Sequence, residues 1–238
     1  MKFVFSSSLA GLVIVMATVS LAGPAVEIPE PEFDFGRVYQ KSKIAHTFWV
    51  KSAGDDTLRI VRIVPGCGCT QAPIEDSVIA PGDSTALEIF FTSRSYRGPV
   101  AKRPYFETNT GDEKYYVRIK IDLIPDPDTL MPITLNPYTL DVSQFTTMPR
   151  RRAKFLIQNK SDREYRLELI DWSKKHFDVT LPGKVKAGET VQGLVTVHED
   201  MVDSEFEQSL TFQINDENNT RYTLPVKRMV RIKDVAGK

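Results

Sequence analysis

Residues 79–92 read "IAPGDSTALEIFFT", a stretch that predicts a tight turn followed by a β-strand. From Leu87 to Phe91 every second residue is apolar, and this period of two is typical of a strand with one face in a core. The turn before it contains Pro81 and Gly82, and glycine takes the positive φ that many turns need. The stretch therefore predicts one turn-and-strand unit of a β-rich domain.

The unit recurs in the second half of the chain as "VKAGETVQGLVTVH", at residues 185–198. Three further pairs of segments recur in the same order: "PEFDFGRV" with "PYTLDVSQF", "HTFWVKSAGDDTLRIVRIV" with "AKFLIQNKSDREYRLELIDW", and "PYFETNTGDEKYYVRIKI" with "LTFQINDENNTRYTLPVK". Four matching blocks in one order predict two copies of a single domain. We place the first domain at residues 27–125 and the second at 133–235. The proline-rich linker between them occupies residues 126–132, because proline restricts φ and stiffens the chain.

Both copies consist of short alternating runs separated by turn residues, and neither contains a helical pattern of ten residues. This arrangement is typical of an immunoglobulin-like sandwich. The sequence therefore predicts an all-β protein with two tandem immunoglobulin-like β-sandwich domains.

The N-terminus predicts export. Residues 1–22 have Lys2, then an apolar run, then small residues at Ser20 and Ala22, which is the layout of a signal peptide cleaved after Ala22. An uncleaved N-terminal anchor is the alternative, since the apolar run is just long enough to span a bilayer. No other apolar stretch is that long, so we expect no membrane span after cleavage. The expected location is the periplasm or the secreted fraction.

Composition and motifs argue against two classes of function. The 31 basic residues equal the 31 acidic residues, and neither half is strongly basic, so nucleic acid is not an expected partner. Nucleophile-elbow, zinc-protease, P-loop and dinucleotide-binding motifs are missing from the sequence. We therefore expect no enzymatic activity, no cofactor and no metal site.

Several landmarks together resemble a known family. They are "FDFGRV", "HTFWVKSAGDDTLRI", "CGCT", "APGD" and the "RG" of "SYRGPVAK". Residues 27–124 resemble the secreted bacterial immunoglobulin-like domain of unknown function, which is related to the Hydin-type and major-sperm-protein-like sandwiches. The resemblance implies a fold and an envelope location, but no reaction. The second copy has "WSKKHFDVTLPGK" in place of "VPGCGCTQAPIED" and resembles only a diverged immunoglobulin-like domain.

Cys67 and Cys69 are the only cysteines and are separated by one glycine. A bridge between them would close a loop of about three residues, so chain entropy would add only about 1.6 kcal/mol to the stability of the fold. Such a bridge suits redox exchange better than a stabilising role. Two neighbouring thiolates also suit a soft ion such as Cu(I). Alternatively, the cysteines pack as small apolar side chains at the end of the sandwich.

Two other features are candidate binding surfaces. The run Arg150, Arg151 and Arg152 is a candidate anion-binding site, although such runs also occur as solvated strand entries. Neighbouring aromatic residues at positions 48–49 and 90–91 must point to opposite faces of a strand, so one of each pair is expected in the core. The other lies on the outer face, against a partner, a loop or the second domain.

Taken together, the features favour a non-enzymatic interaction or scaffold protein of the cell envelope. Its partner would be an unidentified envelope protein or surface component, held by loops or by strand addition. One alternative is a thiol redox or copper-handling protein that uses Cys67 and Cys69. A further alternative is a two-domain periplasmic chaperone, which needs basic residues in the cleft between the domains.

Overall fold

The computed structural model describes residues 23–126, 129–146 and 148–231. Within these ranges the chain forms β-strands, a short 3-10 helix at Glu199–Met201 and no α-helix, which confirms the all-β prediction. No helix in the described part of the chain is long and apolar enough to cross a membrane. The predicted signal peptide lies outside the described residues.

The first half contains eleven strands. They are β1 (Val26–Glu27), β2 (Glu32–Tyr39), β3 (Lys43–Ser52), β4 (Leu58–Val64), β5 (Thr70–Gln71), β6 (Val78–Ile79), β7 (Ser84–Thr92), β8 (Gly98–Lys102), β9 (Tyr105–Thr108), β10 (Lys114–Tyr116) and β11 (Arg118–Ile124).

The second half contains nine strands. They are β12 (Ile133–Asn136), β13 (Leu140–Asp141), β14 (Arg152–Asn159), β15 (Tyr165–Trp172), β16 (Phe177–Thr180), β17 (Lys184–Val185), β18 (Thr190–Val197), β19 (Phe206–Ile214) and β20 (Arg221–Arg228).

The stretch at residues 79–92 forms the predicted turn and strand. Gly82 has a φ of +83°, and strand β7 follows from Ser84. Leu87, Ile89 and Phe91 are buried, whereas the residues between them are half-buried. Every second residue of the strand therefore packs in the core, as the alternation in the sequence predicts.

The two halves repeat one pattern of strand pairing, as the sequence repeat predicts. Strand β7 pairs antiparallel with β3, and β18 pairs antiparallel with β14. Strand β4 pairs with β6 and β9, and its counterpart β15 pairs with β17 and β19. The parallel pair β2 and β11 has its counterpart in the parallel pair β13 and β20. The chain is thus two tandem immunoglobulin-like sandwiches.

Each half has its own hydrophobic core, with a few residues exchanged. The first cluster is formed from residues between Phe33 and Leu123, and Ile170 of the second half packs against it. The second cluster is formed mainly from residues after Leu130, but it also includes Tyr39 and contacts Ile124. The domain limits 27–125 and 133–235 stay a prediction, since these three side chains cross between the cores.

One sheet runs through both sandwiches. Its strands follow the order β17-β15-β19-β20-β2-β11-β8, with β13 paired to β20. Within this sheet, the two halves are joined by the parallel contact of β2 with β20, where Arg37 lies opposite Tyr222. The Thr223 hydroxyl donates a 2.6 Å hydrogen bond to the Phe35 carbonyl at the same place.

A buried arginine holds together several loops of the second sandwich. Arg228 is 1% exposed, and its guanidinium donates to the Val202, Val142 and Arg150 carbonyls and to Gln144 Oε1. Burial lowers the pKa of this guanidinium. Arginine has five N–H donors in a fixed planar arrangement, against three on lysine, so it can serve all four of these acceptors at once.

Candidate functional site

The two sandwiches meet along the edge of β3. Ser209 of β19 both accepts from the Ala45 N–H, at 3.2 Å, and donates to the Ala45 carbonyl, at 2.8 Å. Beside it, His46 Nδ1 lies 2.8 Å from a carboxylate oxygen of Asp171 at the end of β15. These contacts fix the last residues of β15 opposite the middle of β3.

A cavity of about 400 Å³ lies at this junction, and we call it the junction groove. It is lined by Ala45, His46, Thr47, Trp49, Pro73, Ile74, Glu75, Ala86 and Glu88 of the first half and by Asp171, Trp172, Ser173, Lys174, Lys175 and Gln208 of the second. Its volume falls in the range of about 300–1,000 Å³ that is usual for ligand pockets.

Both tryptophans of the chain line the junction groove, one from each sandwich. Trp49 is 56% exposed, whereas its neighbour Phe48 is 1% exposed and lies in the core. This confirms that neighbouring aromatic residues on the strand divide between the core and the outer face. The Trp172 ring has the Lys174 ammonium 5.0 Å from its centroid. Sequence reasoning predicted that one residue of the pair Phe48 and Trp49 lies on the outer face without saying which one, and it missed Trp172.

The groove exposes an open strand edge. Even-numbered residues of β3 direct their main-chain groups at β7, as the hydrogen bond from the Ser52 N–H to Asp83 shows. Odd-numbered residues therefore face the opposite edge, where the main chain of Ala45 bonds Ser209 and the Ala53 N–H bonds the Ala25 carbonyl. Between these two contacts, no described residue is hydrogen-bonded to the main chain of Thr47 or Trp49 on this edge.

A proline explains why this edge stays open. Strand β1 pairs with β3 only at Val26 and Glu27. Pro29 follows two residues later and has no N–H to donate to the ladder. The chain then enters β2, which belongs to the shared sheet.

Polar groups of both signs surround the tryptophans. Glu88 accepts a 3.2 Å hydrogen bond from Gln208 across the junction, while Lys174 and Lys175 are exposed. The loop that carries these lysines is anchored by a 2.6 Å hydrogen bond between Ser173 Oγ and His176 Nδ1. Burial, helped by the nearby Lys175, lowers the pKa of His176 to about 4.

The cysteines predicted as a redox or soft-metal site lie elsewhere, at the end of β4. Cys67 and Cys69 are joined by a disulfide, with a Cα–Cα distance of 5.2 Å. Cys69 is buried in the first core, and the more exposed Cys67 packs against it. The two sulfurs are thus both bridged and packed, which combines two of the interpretations drawn from the sequence.

Polar side chains that sequence reasoning missed surround the disulfide. Cys67 Sγ lies 3.2 Å from Thr70 Oγ1, and Cys69 Sγ lies 3.7 Å from Tyr96 Oη. The Lys102 ammonium donates a 3.2 Å hydrogen bond to the same tyrosine oxygen. We call Thr70, Tyr96 and Lys102 the disulfide shell. The described residues contain no group of three or more His, Cys, Asp or Glu side chains arranged to hold a metal ion.

The predicted anion-binding residues Arg150, Arg151 and Arg152 are separate from both places. Arg151 is paired with Glu199 at 2.7 Å, whereas Arg150 and Arg152 line a shallow surface cavity of the second sandwich beside Asp141. None of the three lines the junction groove. Anion binding by these residues stays a prediction.

Solved structures that are similar to this chain share little of its sequence. A protein of unknown function from Porphyromonas gingivalis W83 is similar, with 10% identity, a TM-score of 0.36, and coverage of 85% of this chain and 98% of that one. The periplasmic chaperone SfaE has 12% identity, a TM-score of 0.30, and coverage of 87% and 100%.

The ASH / PapD-like domain of human CEP192 has 13% identity, a TM-score of 0.35, and coverage of 51% of this chain and 99% of that one. A search of curated proteins finds no match. The family model described as protein of unknown function (DUF1573) matches residues 26–123. Residues 26–123, which belong to the first sandwich, therefore match a family model of unknown function.

Proposed function

We propose that this protein is an exported, non-enzymatic binding module of the cell envelope that holds an extended segment of a partner protein in the junction groove. The observation that carries the proposal is the open edge of β3 inside a groove lined by both tryptophans. Arg150, Arg151 and Arg152 lie outside this groove, so the proposal gives them no role.

The open edge supplies the main-chain part of the binding. The N–H and C=O groups of Thr47 and Trp49 are spaced for hydrogen bonds to an added strand, because both residues direct these groups to the same edge. Strand addition of this kind gives affinity without a demand for particular side chains. Unpaired edge groups are also a hazard for aggregation, which a bound segment would remove.

The groove walls supply the side-chain part. Trp49 and Trp172 offer large, rigid apolar surfaces with few rotamers to lose, and tryptophan is enriched where protein partners bind most tightly. The half-buried carboxylate of Glu88 and the exposed Lys174 lie near them and can pair with either charge on the added segment.

Selection of short random peptides on the mature protein tests the proposal. Because the only tryptophans line the groove, a bound peptide should change the intrinsic tryptophan fluorescence. N-methylation of the peptide, one residue at a time, should weaken binding at every second position, since only alternate N–H groups of an added strand face β3. A pattern without this alternation would contradict strand addition.

Variants of β3 separate the two parts of the site. Thr47→Pro removes an edge-facing N–H without breaking a bond to β7, so it should abolish peptide binding while leaving the unfolding midpoint close to that of the natural protein. Thr47→Ala is the matched control, since it keeps the N–H and should bind. Trp49→Ala should weaken binding, whereas Val61→Ala at an exposed site on β4 should not. Full binding by both Thr47→Pro and Trp49→Ala would contradict the proposal.

A further inference from the structure

The disulfide shell places hydroxyl groups on both sides of a bridge that joins the half-buried Cys67 to the buried Cys69. Cys67 is the more exposed of the two cysteines, and it sits on a turn closed by the bond from the Thr70 N–H to the Cys67 carbonyl, at 3.2 Å. Gly68, between the cysteines, has no heavy atom within 4 Å of where a Cβ would be. An approaching thiol therefore meets Cys67 before Cys69.

The groups around Cys69, on the buried side of the bridge, can stabilise a negative charge on its sulfur. Lys102 donates to Tyr96 Oη, so the tyrosine's own hydrogen is free to point at Cys69 Sγ, 3.7 Å away. The Lys102 ammonium also lies 4.4 Å from the Tyr96 ring centroid and 5.8 Å from that of Phe91. These contacts hold a hydroxyl donor beside the sulfur that would leave if Cys67 were attacked, and a cation beside that hydroxyl.

We propose that Cys67 and Cys69 form a thiol–disulfide exchange site that takes electrons from a dithiol of another exported protein. This activity goes beyond the proposed binding function and does not depend on it. Because the bridge closes a short loop, it adds little to the free energy of unfolding. Thiol–disulfide exchange needs a sulfur that a thiolate can reach and a stabilised leaving thiolate.

The exchange has two balanced steps. In the first, a thiolate of the partner attacks Cys67 Sγ; the bond between Cys67 and Cys69 breaks, a mixed disulfide forms, and Cys69 leaves as a thiolate facing the Tyr96 hydroxyl. In the second, the partner's other thiol loses its proton and attacks the partner sulfur of the mixed disulfide. Cys67 is released as a thiolate beside the Thr70 hydroxyl, and the partner's two thiols become a disulfide. Two electrons have then passed to the cysteine pair, and any proton that its thiolates take up comes from water.

The test measures how fast dithiothreitol, a small dithiol, reduces the mature protein, read as alkylation of two cysteines per chain by mass spectrometry. Loss of the hydroxyl donor in Tyr96→Phe should slow reduction roughly three- to tenfold, because the leaving thiolate loses a hydrogen bond. Tyr116→Phe is the matched control, since the ring of this tyrosine packs against Tyr105 and Arg103 and its loss of a hydroxyl should leave the rate unchanged. Equal rates in all three proteins would overturn the assignment of Tyr96.

A second measurement excludes a merely structural effect of Tyr96. In the Cys67→Ser variant, the ultraviolet absorbance of the Cys69 thiolate should appear at lower pH than in Cys67→Ser/Tyr96→Phe. No difference between the two proteins would overturn the role of the disulfide shell. Full alkylation of both cysteines in the air-oxidised native protein, without any reductant, would overturn the exchange site itself.

Discussion

His176 shows how one side chain makes stability depend on pH. Its ring packs against Phe206, with 4.8 Å between the ring centroids, and lies next in sequence to the cation Lys175. Burial first, then the charges of Lys175 and His198, lower its pKa from 6.5 to about 4. In the folded protein, His176 therefore stays neutral at pH values where it is protonated in the unfolded chain.

We expect the free energy of unfolding to fall as the pH drops from about 6.5 towards about 4, because the unfolded state then binds a proton that the folded state does not. The lowered pKa gives a full effect of about 3 kcal/mol, which screening at this partly exposed ring reduces to about 1–2 kcal/mol. Urea unfolding at several pH values measures it. The His176→Gln protein should lose this part of the pH dependence; an unchanged slope in that variant would assign the effect to other groups.

At the scale of elements, Gly36 is what allows β2 to pair with β20. It has a φ of +63°, and a Cβ at this position would lie 2.2 Å from the Arg221 carbonyl oxygen of the second sandwich. The glycine of "FDFGRV" is thus needed both for its backbone conformation and for the close approach of two main chains.

Gly36→Ala should therefore destabilise the protein by more than about 2 kcal/mol, from backbone strain together with separation of β2 from β20. Gly82→Ala is the matched control, because Gly82 has a similar φ of +83° but no heavy atom within 4 Å of the place that a Cβ would occupy. It should cost only the strain, about 1–2 kcal/mol. Chemical denaturation of both variants measures the difference, and equal losses would show that the strand contact contributes little.

At the scale of the whole molecule, the two sandwiches are joined by a shared sheet but keep largely separate cores. Every buried residue of the first cluster comes from residues 33–123. The principal exception to this separation is Tyr39, which packs with Tyr138 of the second half at 4.4 Å between ring centroids. The first sandwich therefore has a closed core of its own and one aromatic side chain buried by its neighbour.

Residues 23–125 expressed alone should unfold in a single cooperative transition, because the first core is complete within them. The midpoint should lie below that of the full chain, since Tyr39 and the edge of β2 become exposed. Thermal unfolding followed by circular dichroism measures both. A fragment without a cooperative transition would show that the shared sheet is required for folding.

The local pattern of the sequence was sufficient to predict the strands, the turns and the repeat of one strand pattern in the two halves. In "TALEIFFT", the alternation of apolar residues shows which side chains of the strand pack in the core. Gly82 supplies the positive φ that its own turn requires. Each of these features is therefore encoded within a few residues. The same local information predicted that one of the neighbours at positions 48 and 49 lies in the core, and the structure identifies it as Phe48, with Trp49 outside. Cys67 and Cys69 were recognised as a unit because they are neighbours in sequence.

The tertiary structure alone brought distant residues together. Trp172 reaches the groove of Trp49 because β20 pairs with β2, and nothing in the period of either strand specifies which edges meet. The burial of Arg228 among carbonyls and the approach of Tyr96 to Cys69 likewise depend on loops that join separate strands. The alternation of apolar and polar residues shows only which face of a strand is buried. Strand order and loop placement depend instead on contacts between residues that are far apart in the chain.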